Sequence, residues 1–343
     1  MTARVASASA TVGKAAGPAA GARVGPAVVC RNLVHVYGGV AGTGPGVGSE
    51  VAALRGVELE VPRGETLAVL GPSGAGKSTL LWLLAGLTRP TAGEVQVDGV
   101  DLGPLTPAQL RAVRAHRVGV LLQNPSRNLL SYATCLDNVR FAQTRRRGPG
   151  RWGLSRAAAR DAAQDAADLL AAVGLADRRH ARAGSLSGGE QQRLALTVAV
   201  ANGPAVLLAD EPTSQLDAAS AALVVDLMRA TAADAGTTVV VVTHDPDVAA
   251  AMSRTVTISD GRIGRQTRAG HDHVVVGPDG QVHLPPAVLG VLPPGTVLAV
   301  DLLADGVQLR RDAGSGSGND AATGPDTRPD NRPDNRPDGE EAT

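Results

Sequence analysis

A chain of 343 residues has room for one large domain and a small one beside it. Its 33 basic residues cancel its 33 acidic ones, so no global field draws it to nucleic acid or anionic lipid, and nucleic acid is not an expected partner. Aromatic residues make up 1% of the chain, which excludes reading of nucleic acid by base stacking and the aromatic girdles of an outer-membrane barrel.

Residues 1–27 are rich in small residues, lack the apolar block of a signal peptide and are expected as a disordered tail. No run approaches about 18 apolar residues, so no transmembrane helix is expected and the protein reads as cytoplasmic. Residues 28–40 (VVCRNLVHVYGGV) and 53–61 (ALRGVELEV) alternate apolar and polar side chains and predict strands, joined by a glycine-rich loop. ETLAVL (65–70) predicts a buried strand that leads through GPSGAGKS into a buried helix at STLLWLLAGL. GEVQVDG (93–99) predicts a strand and turn. In LTPAQLRAVRAH (105–116), Thr106 is a candidate N-cap with Pro107 at the first helical position.

RVGVLLQ (117–123) predicts a strand, and 155–173 a long alanine-rich helix. VLLAD and TVVVVTH are short, almost wholly apolar runs separated by a helical stretch at 218–233. Such runs suit interior parallel strands of an α/β sheet covered on both faces. Cys30 and Cys135 have no ligand-spaced partner and read as structural thiols of a reducing compartment. After residue 263 the composition shifts, and 272–311 predicts a small β-rich unit with turns at PDG and DG. The RPDN repeats within 312–343 cannot bury apolar surface and predict a disordered tail.

GPSGAGKS (71–78) matches the phosphate-loop pattern G-x-x-x-x-G-K-[ST] between a strand and a helix. Gly71, Gly74 and Gly76 let the backbone curl so that its N–H groups face an anion, at a helix N-terminus of partial positive charge. Residues Gly71, Pro72, Ser73, Gly74, Ala75, Gly76, Lys77, Ser78 and Thr79 are the expected phosphate cradle of a bound nucleotide. Lysine occurs only at 14 and 77, and Lys77 is placed to reach the β- and γ-phosphates while Ser78 offers a hydroxyl to Mg²⁺. VLLADE (206–211) ends in two acids: Asp210 to hold the Mg²⁺ water shell, Glu211 to orient or deprotonate the attacking water. His244 would bracket the γ-phosphate from a neighbouring strand end, and Gln123 would reach metal or water through its amide. Four apolar strands that each end in a polar group converge on one nucleotide, where open α/β sheets place their ligands.

With LSGGEQQR (186–193) added to GPSGAGKST, LLQ, VLLADEPT, SQLD and VTHD in this order, residues 28–266 resemble the nucleotide-binding subunit of ATP-binding-cassette (ABC) transporters. The resemblance implies the P-loop NTPase fold of ABC ATPases, an α/β fold with an N-terminal antiparallel β subdomain and a helical subdomain carrying the LSGG loop. It implies ATP and Mg²⁺ as cofactors and a head-to-tail homodimer. In that dimer Leu186, Ser187, Gly188 and Gly189 contact the γ-phosphate held by the other copy. Tyr37 falls where the family stacks an aromatic ring on adenine, and Ser214 to Asp217 form the loop crossing the dimer. There SQLD departs from the commoner S-A/G-L-D, with Gln215 as the longer side chain.

Residues 124–139 lie where the family receives a helix of the membrane subunit, so separate permease subunits are the expected partners at the inner face of the membrane. The layout is most similar to ATPases of lipoprotein release and macrolide export, with an importer of amino acids or other small solutes as the alternative. A non-transport soluble cassette ATPase is a further alternative, although no coiled-coil or zinc insertion interrupts the chain. Residues 273–310 also resemble the swapped-hairpin module of AbrB-type regulators, which implies a dimerising or regulatory appendage. A packing extension of the cassette is the alternative, and Asp279, Asp301 and Asp305 against Arg310 and Arg311 speak against DNA contact.

Overall fold

The computed structural model describes residues 25–38, 50–144, 156–268, 271–276, 282, 284, 286–293, 295–303 and 306–311. The tails expected at 1–27 and 312–343 therefore lie outside the described residues, apart from 25–27. The chain divides into two units between Pro285 and Pro286.

The first unit opens with strands β1 (Val28–Tyr37), β2 (Val51–Val61) and β3 (Thr66–Leu70), followed by helix α1 (Lys77–Leu84). Strands β4 (Ala92–Val97) and β5 (Val100–Asp101) lead to α2 (Pro107–His116) and β6 (Val118–Leu121). Three helices follow: α3 (Cys135–Thr144), α4 (Arg156–Ala172) and α5 (Gly188–Val200). Then come β7 (Val206–Asp210), α6 (Ala218–Ala235), β8 (Thr238–Val242) and α7 (Pro246–Ala250). Strands β9 (Arg254–Ser259), β10 (Arg262–Arg268) and β11 (His271–Val274) complete it.

Two sheets form. One is antiparallel in the order β2-β1-β4-β5; the other runs β11-β10-β9-β3-β8-β7-β6, parallel from β9 to β6 with β10 and β11 as an antiparallel edge. Period-2 alternation explains how the central strands serve two cores. Leu67, Val69, Leu208, Val240 and Val242 face α1 and the antiparallel sheet, while Ala68, Leu121, Leu207, Ala209, Val239 and Val241 face a core built on α5, α6 and α7. The register Ala68–Val241–Ala209–Leu121 runs straight across four neighbouring strands, so their carboxyl ends lie side by side. Those four are the strands expected to converge on the nucleotide.

Thr106 caps α2 as expected, in a reciprocal box with Gln109. Helix α3 was not anticipated, although Thr134 and Asp137 carry the T-x-x-D signal: at its start the Asp137 N–H donates to Thr134 Oγ1, and the Thr134 hydroxyl donates to the Asp137 carboxylate. A third device joins distant turns. The Asp98 carboxylate is fully buried and accepts hydrogen bonds from Arg63 and Arg117, each at 2.7 Å.

The second unit holds α8 (Pro286–Leu289) and a hairpin of β12 (Leu298–Leu303) with β13 (Gly306–Arg311). Here the structure departs from the expected β-rich unit at 272–311. Residues 271–274 form β11 and pair with β10, because the period-2 run continues the edge of the first unit's sheet. Nothing in the structure supports the swapped-hairpin resemblance; among the described residues a single antiparallel bridge, Val276 with Val282, flanks the PDG turn, and β12 and β13 pair around the DG turn.

Candidate active site

The loop between β3 and α1 is shaped by close backbone approach. Gly71 has φ +149°, and a Cβ there would stand 2.1 Å from the Ile258 carbonyl oxygen; at Gly76, with φ +98°, it would stand 2.3 Å from that of Ala53. Only glycine fits either place. No side chain caps the N-terminus of α1, and its first turn carries no acid, so its N–H groups are left for an outside acceptor. Lys77 begins the helix and folds back, its Nζ donating to the carbonyls of Gly71 at 2.8 Å and Pro72 at 2.9 Å. The loop thereby holds its only ammonium group against its own backbone.

Ser78, one residue further along α1, donates through Oγ to Asp210 Oδ1 at 3.3 Å, across 132 residues of sequence. Asp210 ends β7 and is buried; burial pushes its carboxyl above the usual range, while the Ser78 hydrogen bond pulls the other way. A desolvated carboxylate beside a hydroxyl is the oxygen donor set of a hard divalent cation, so these residues fit Mg²⁺. Among the described residues no group of three or more His, Cys, Asp or Glu side chains gathers as a metal site, here or elsewhere.

Glu211 follows Asp210 with φ +47°, a left-handed backbone that costs a non-glycine residue about 1–2 kcal/mol. The turn is held by its N–H donating to the Val242 carbonyl at 2.8 Å and by Ser214, which bonds back to the Glu211 carbonyl. It aims the side chain at His244, whose Nδ1 lies 2.8 Å from Glu211 Oε2. That hydrogen bond, reinforced by the charge of Glu211, raises the His244 imidazole above the ordinary histidine value. Glu211, Thr213, Ser214, His244, Asp245 and Pro246 line one open cleft.

Tyr37 ends β1 and is partly exposed, with its hydroxyl 3.1 Å from Thr79 Oγ1 at the start of α1. The adenine position expected for it therefore adjoins the phosphate loop. Two other expected residues sit slightly differently. Strand β6 ends at Leu121 and β8 at Val242, so Gln123 and His244 each lie two residues beyond their strand. Gln123 is exposed, and among the described residues no hydrogen bond joins it to Ser78 or Asp210. The segment after it is stapled by two asparagines missed in the sequence. Asn128 bridges Val120 and Leu122, and Asn138 bridges Leu130 and Thr134.

At the other expected contact, Ser187 caps α5 in a reciprocal box with Glu190, leaving Gly188 open. Among the described residues no hydrogen bond links Leu186, Ser187, Gly188 or Gly189 to the loop at 71–79. Asp217 is occupied locally: its carboxylate caps α6 by accepting from the Ser220 N–H and hydroxyl, which hold it below the usual carboxylate range.

Residues 54–214 match the family model of the ABC transporter. Over 219 residues the chain is 41% identical to the lipoprotein-releasing system ATP-binding protein LolD 1 of Caulobacter vibrioides, a match covering 64% of this chain and 89% of that protein. The chain belongs to the ABC transporter family. It is 39% identical to the macrolide export ATP-binding/permease protein MacB of Rhodopirellula baltica and 45% identical to the methionine import ATP-binding protein MetN of Thermobifida fusca. Those matches cover 64% and 62% of this chain, but only 31% and 63% of the two relatives. A solved ATP-binding cassette, dimeric and bound to ADP and Pi in a post-hydrolysis state, superposes with a TM-score of 0.61 at 32% identity, over 70% of this chain and 98% of that one.

Membership makes the chain an ABC ATPase, an ATP-binding and ATP-hydrolysing cassette, with the P-loop NTPase fold expected from its motifs. Among the described residues no helix is long and apolar enough to cross a membrane.

Proposed function

We propose that this ABC ATPase hydrolyses Mg-ATP at a site shared between two copies of the chain and uses their closure to drive a separate membrane permease. The observation that carries the reading is the union of three sequence-distant parts, the loop at 71–78, Asp210 and the Glu211–His244 pair, at the ends of neighbouring strands. Gly71 to Thr79 would hold the phosphates, with Lys77 released from the Gly71 and Pro72 carbonyls toward the β- and γ-oxygens. Ser78, Asp210 and Gln123 would hold Mg²⁺, which when bound neutralises charge on the phosphates. Glu211 takes the proton of a water attacking the γ-phosphorus, as the bond to the ADP oxygen breaks. His244 holds one Glu211 oxygen, leaving the other for that water. Tyr37 stacks on the base.

Closure supplies what one copy lacks. Leu186, Ser187, Gly188 and Gly189 of one copy would meet the γ-phosphate on the other, using the N-terminus of α5. Ser214 to Asp217 would lie along the contact, where Asp217 sets the start of α6 and Gln215 adds a longer side chain. The segment at 124–139 would receive the permease at the cytoplasmic face of the membrane. Export or mechanotransmission is the favoured direction, supported by the likeness to the LolD and MacB proteins over most of the cassette. Import of a small solute is the second reading, favoured by 45% identity to MetN.

The test is capture of the ATP-trapped Glu211→Gln chain from native membranes. A co-purifying permease with four spans and a large extracytoplasmic domain supports mechanotransmission. A permease of importer architecture supports the second reading. ATP-dependent closure with no permease bound would return the chain to the soluble class.

A further inference from the structure

His35 and Tyr37 lie two residues apart on β1 and so share a face of the strand. Their rings meet edge to face, centroids 4.7 Å apart and planes at 89°. His35 is 7% exposed, and neither of its ring nitrogens has a hydrogen-bond partner among the described residues. An imidazole buried without hydrogen bonds costs free energy that an aliphatic side chain of similar size avoids. The expense calls for something that leucine or valine cannot supply. What imidazole offers at this place is an aromatic ring with a polarised edge, packed perpendicular to tyrosine in one of the two favoured aromatic geometries.

Tyr37 is thereby held at two points. Its hydroxyl is tied to Thr79 Oγ1 at 3.1 Å, on the buried third residue of the phosphate-loop helix, and its ring rests against His35. The rest of the ring is open, with 40% of the residue exposed. We infer that His35 is a positioning residue for base recognition, bracing Tyr37 so that its open face is set to stack on the purine of a nucleoside triphosphate. The inference rests on the reading of Tyr37 as the base platform. A braced platform loses less motion when the base arrives, so bracing strengthens binding of the base without touching the phosphates or the reacting atoms.

The experiment compares ATP with inorganic tripolyphosphate, which carries no base, by titration calorimetry on the full chain with Mg²⁺. The preference for ATP over tripolyphosphate is measured for the parent, Tyr37→Ala, His35→Leu and His35→Phe. Tyr37→Ala is expected to lower the preference about tenfold, the scale of a lost base–aromatic stack. His35→Leu keeps the core filled and is expected to lower it about threefold or more, as one aromatic pair implies, entirely through weaker ATP binding. Its affinity for tripolyphosphate and its kcat at saturating ATP should match the parent, with only KM raised. His35→Phe should return the preference to within about twofold of the parent, because it restores the ring. Should His35→Leu not fold, His35→Met makes the same comparison.

An unchanged preference in His35→Leu, with Tyr37→Ala impaired, would overturn the inference and leave the base platform standing. Failure of His35→Phe to rescue would equally overturn it, since the ring is the feature invoked. An unchanged preference in Tyr37→Ala would remove the platform reading itself, and the inference with it.

Discussion

Glu211 and His244 come from the ends of adjacent strands and join through one 2.8 Å hydrogen bond between Oε2 and Nδ1. The glutamate is largely covered and the histidine largely open, with side-chain exposures of 14% and 71%. The pair thus presents a fixed carboxylate behind a histidine that still meets solvent. Its geometry depends on the left-handed turn at Glu211, which points the side chain across to β8 instead of onward along β7.

The same bond predicts a titration. The charged form of His244 is favoured by Glu211, so its folded-state pKa lies above the unfolded value. The stabilisation is full below the unfolded value and is lost as pH rises through the folded one. The His244 ring resonance, followed by NMR against pH, should titrate above the ordinary histidine value in the parent and fall toward it in Glu211→Gln. Identical midpoints in the two chains would separate the histidine from the carboxylate.

Glu211→Gln should also cut ATP turnover at least about 100-fold, as expected for loss of a general base, while leaving Mg-ATP binding largely intact. With ATP it should accumulate a stable dimer in sedimentation, because the closed state no longer resets. Turnover within threefold of the parent would take Glu211 out of that role.

Lys77→Ala acts earlier. Removing the ammonium that folds onto the Gly71 and Pro72 carbonyls should weaken ATP binding itself, by about tenfold or more for a lost charge-assisted contact to phosphate. Unchanged affinity by calorimetry would contradict the assignment.

Asp98→Asn tests the fold without entering the site. Asparagine tolerates the left-handed backbone at φ +52°, so the substitution removes charge and leaves Arg63 and Arg117 facing each other. Breaking a buried ion pair costs about 3–5 kcal/mol, and the partly exposed arginines place this one near the lower end. Melting should fall by roughly 6–12 °C for a domain of this size. A shift below about 2 °C would show that the network adds little.

What the sequence made legible follows local rules. The loop at 71–78, the acids at 210 and 211 and the apolar strands each carry their chemistry within a few residues, and period 2 alone assigns the strand faces. The Asp98 triad joins positions 63, 98 and 117, with no spacing rule to announce it. His35 alternates correctly as a strand residue, yet nothing in the pattern says its ring meets Tyr37. The pairing of β11 with β10 was not legible, because alternation gives the face of a strand but not its partner. Helix α3 is different, since its capping signal at Thr134 and Asp137 was present in the sequence.

The central claim is that one copy's LSGG loop completes the other copy's phosphate site. It is tested most directly by mixing two inactive chains, Ser187→Arg and Lys77→Ala, and measuring ATP turnover. Each homodimer has two damaged sites, whereas the heterodimer has one site with the intact loop at 71–78 facing an intact Ser187. The account predicts that neither chain turns over ATP alone and that mixing restores turnover, up to about half the parent rate per heterodimer if sites act independently. Heterodimers shown to form by sedimentation, yet with no turnover above either chain alone, would contradict it.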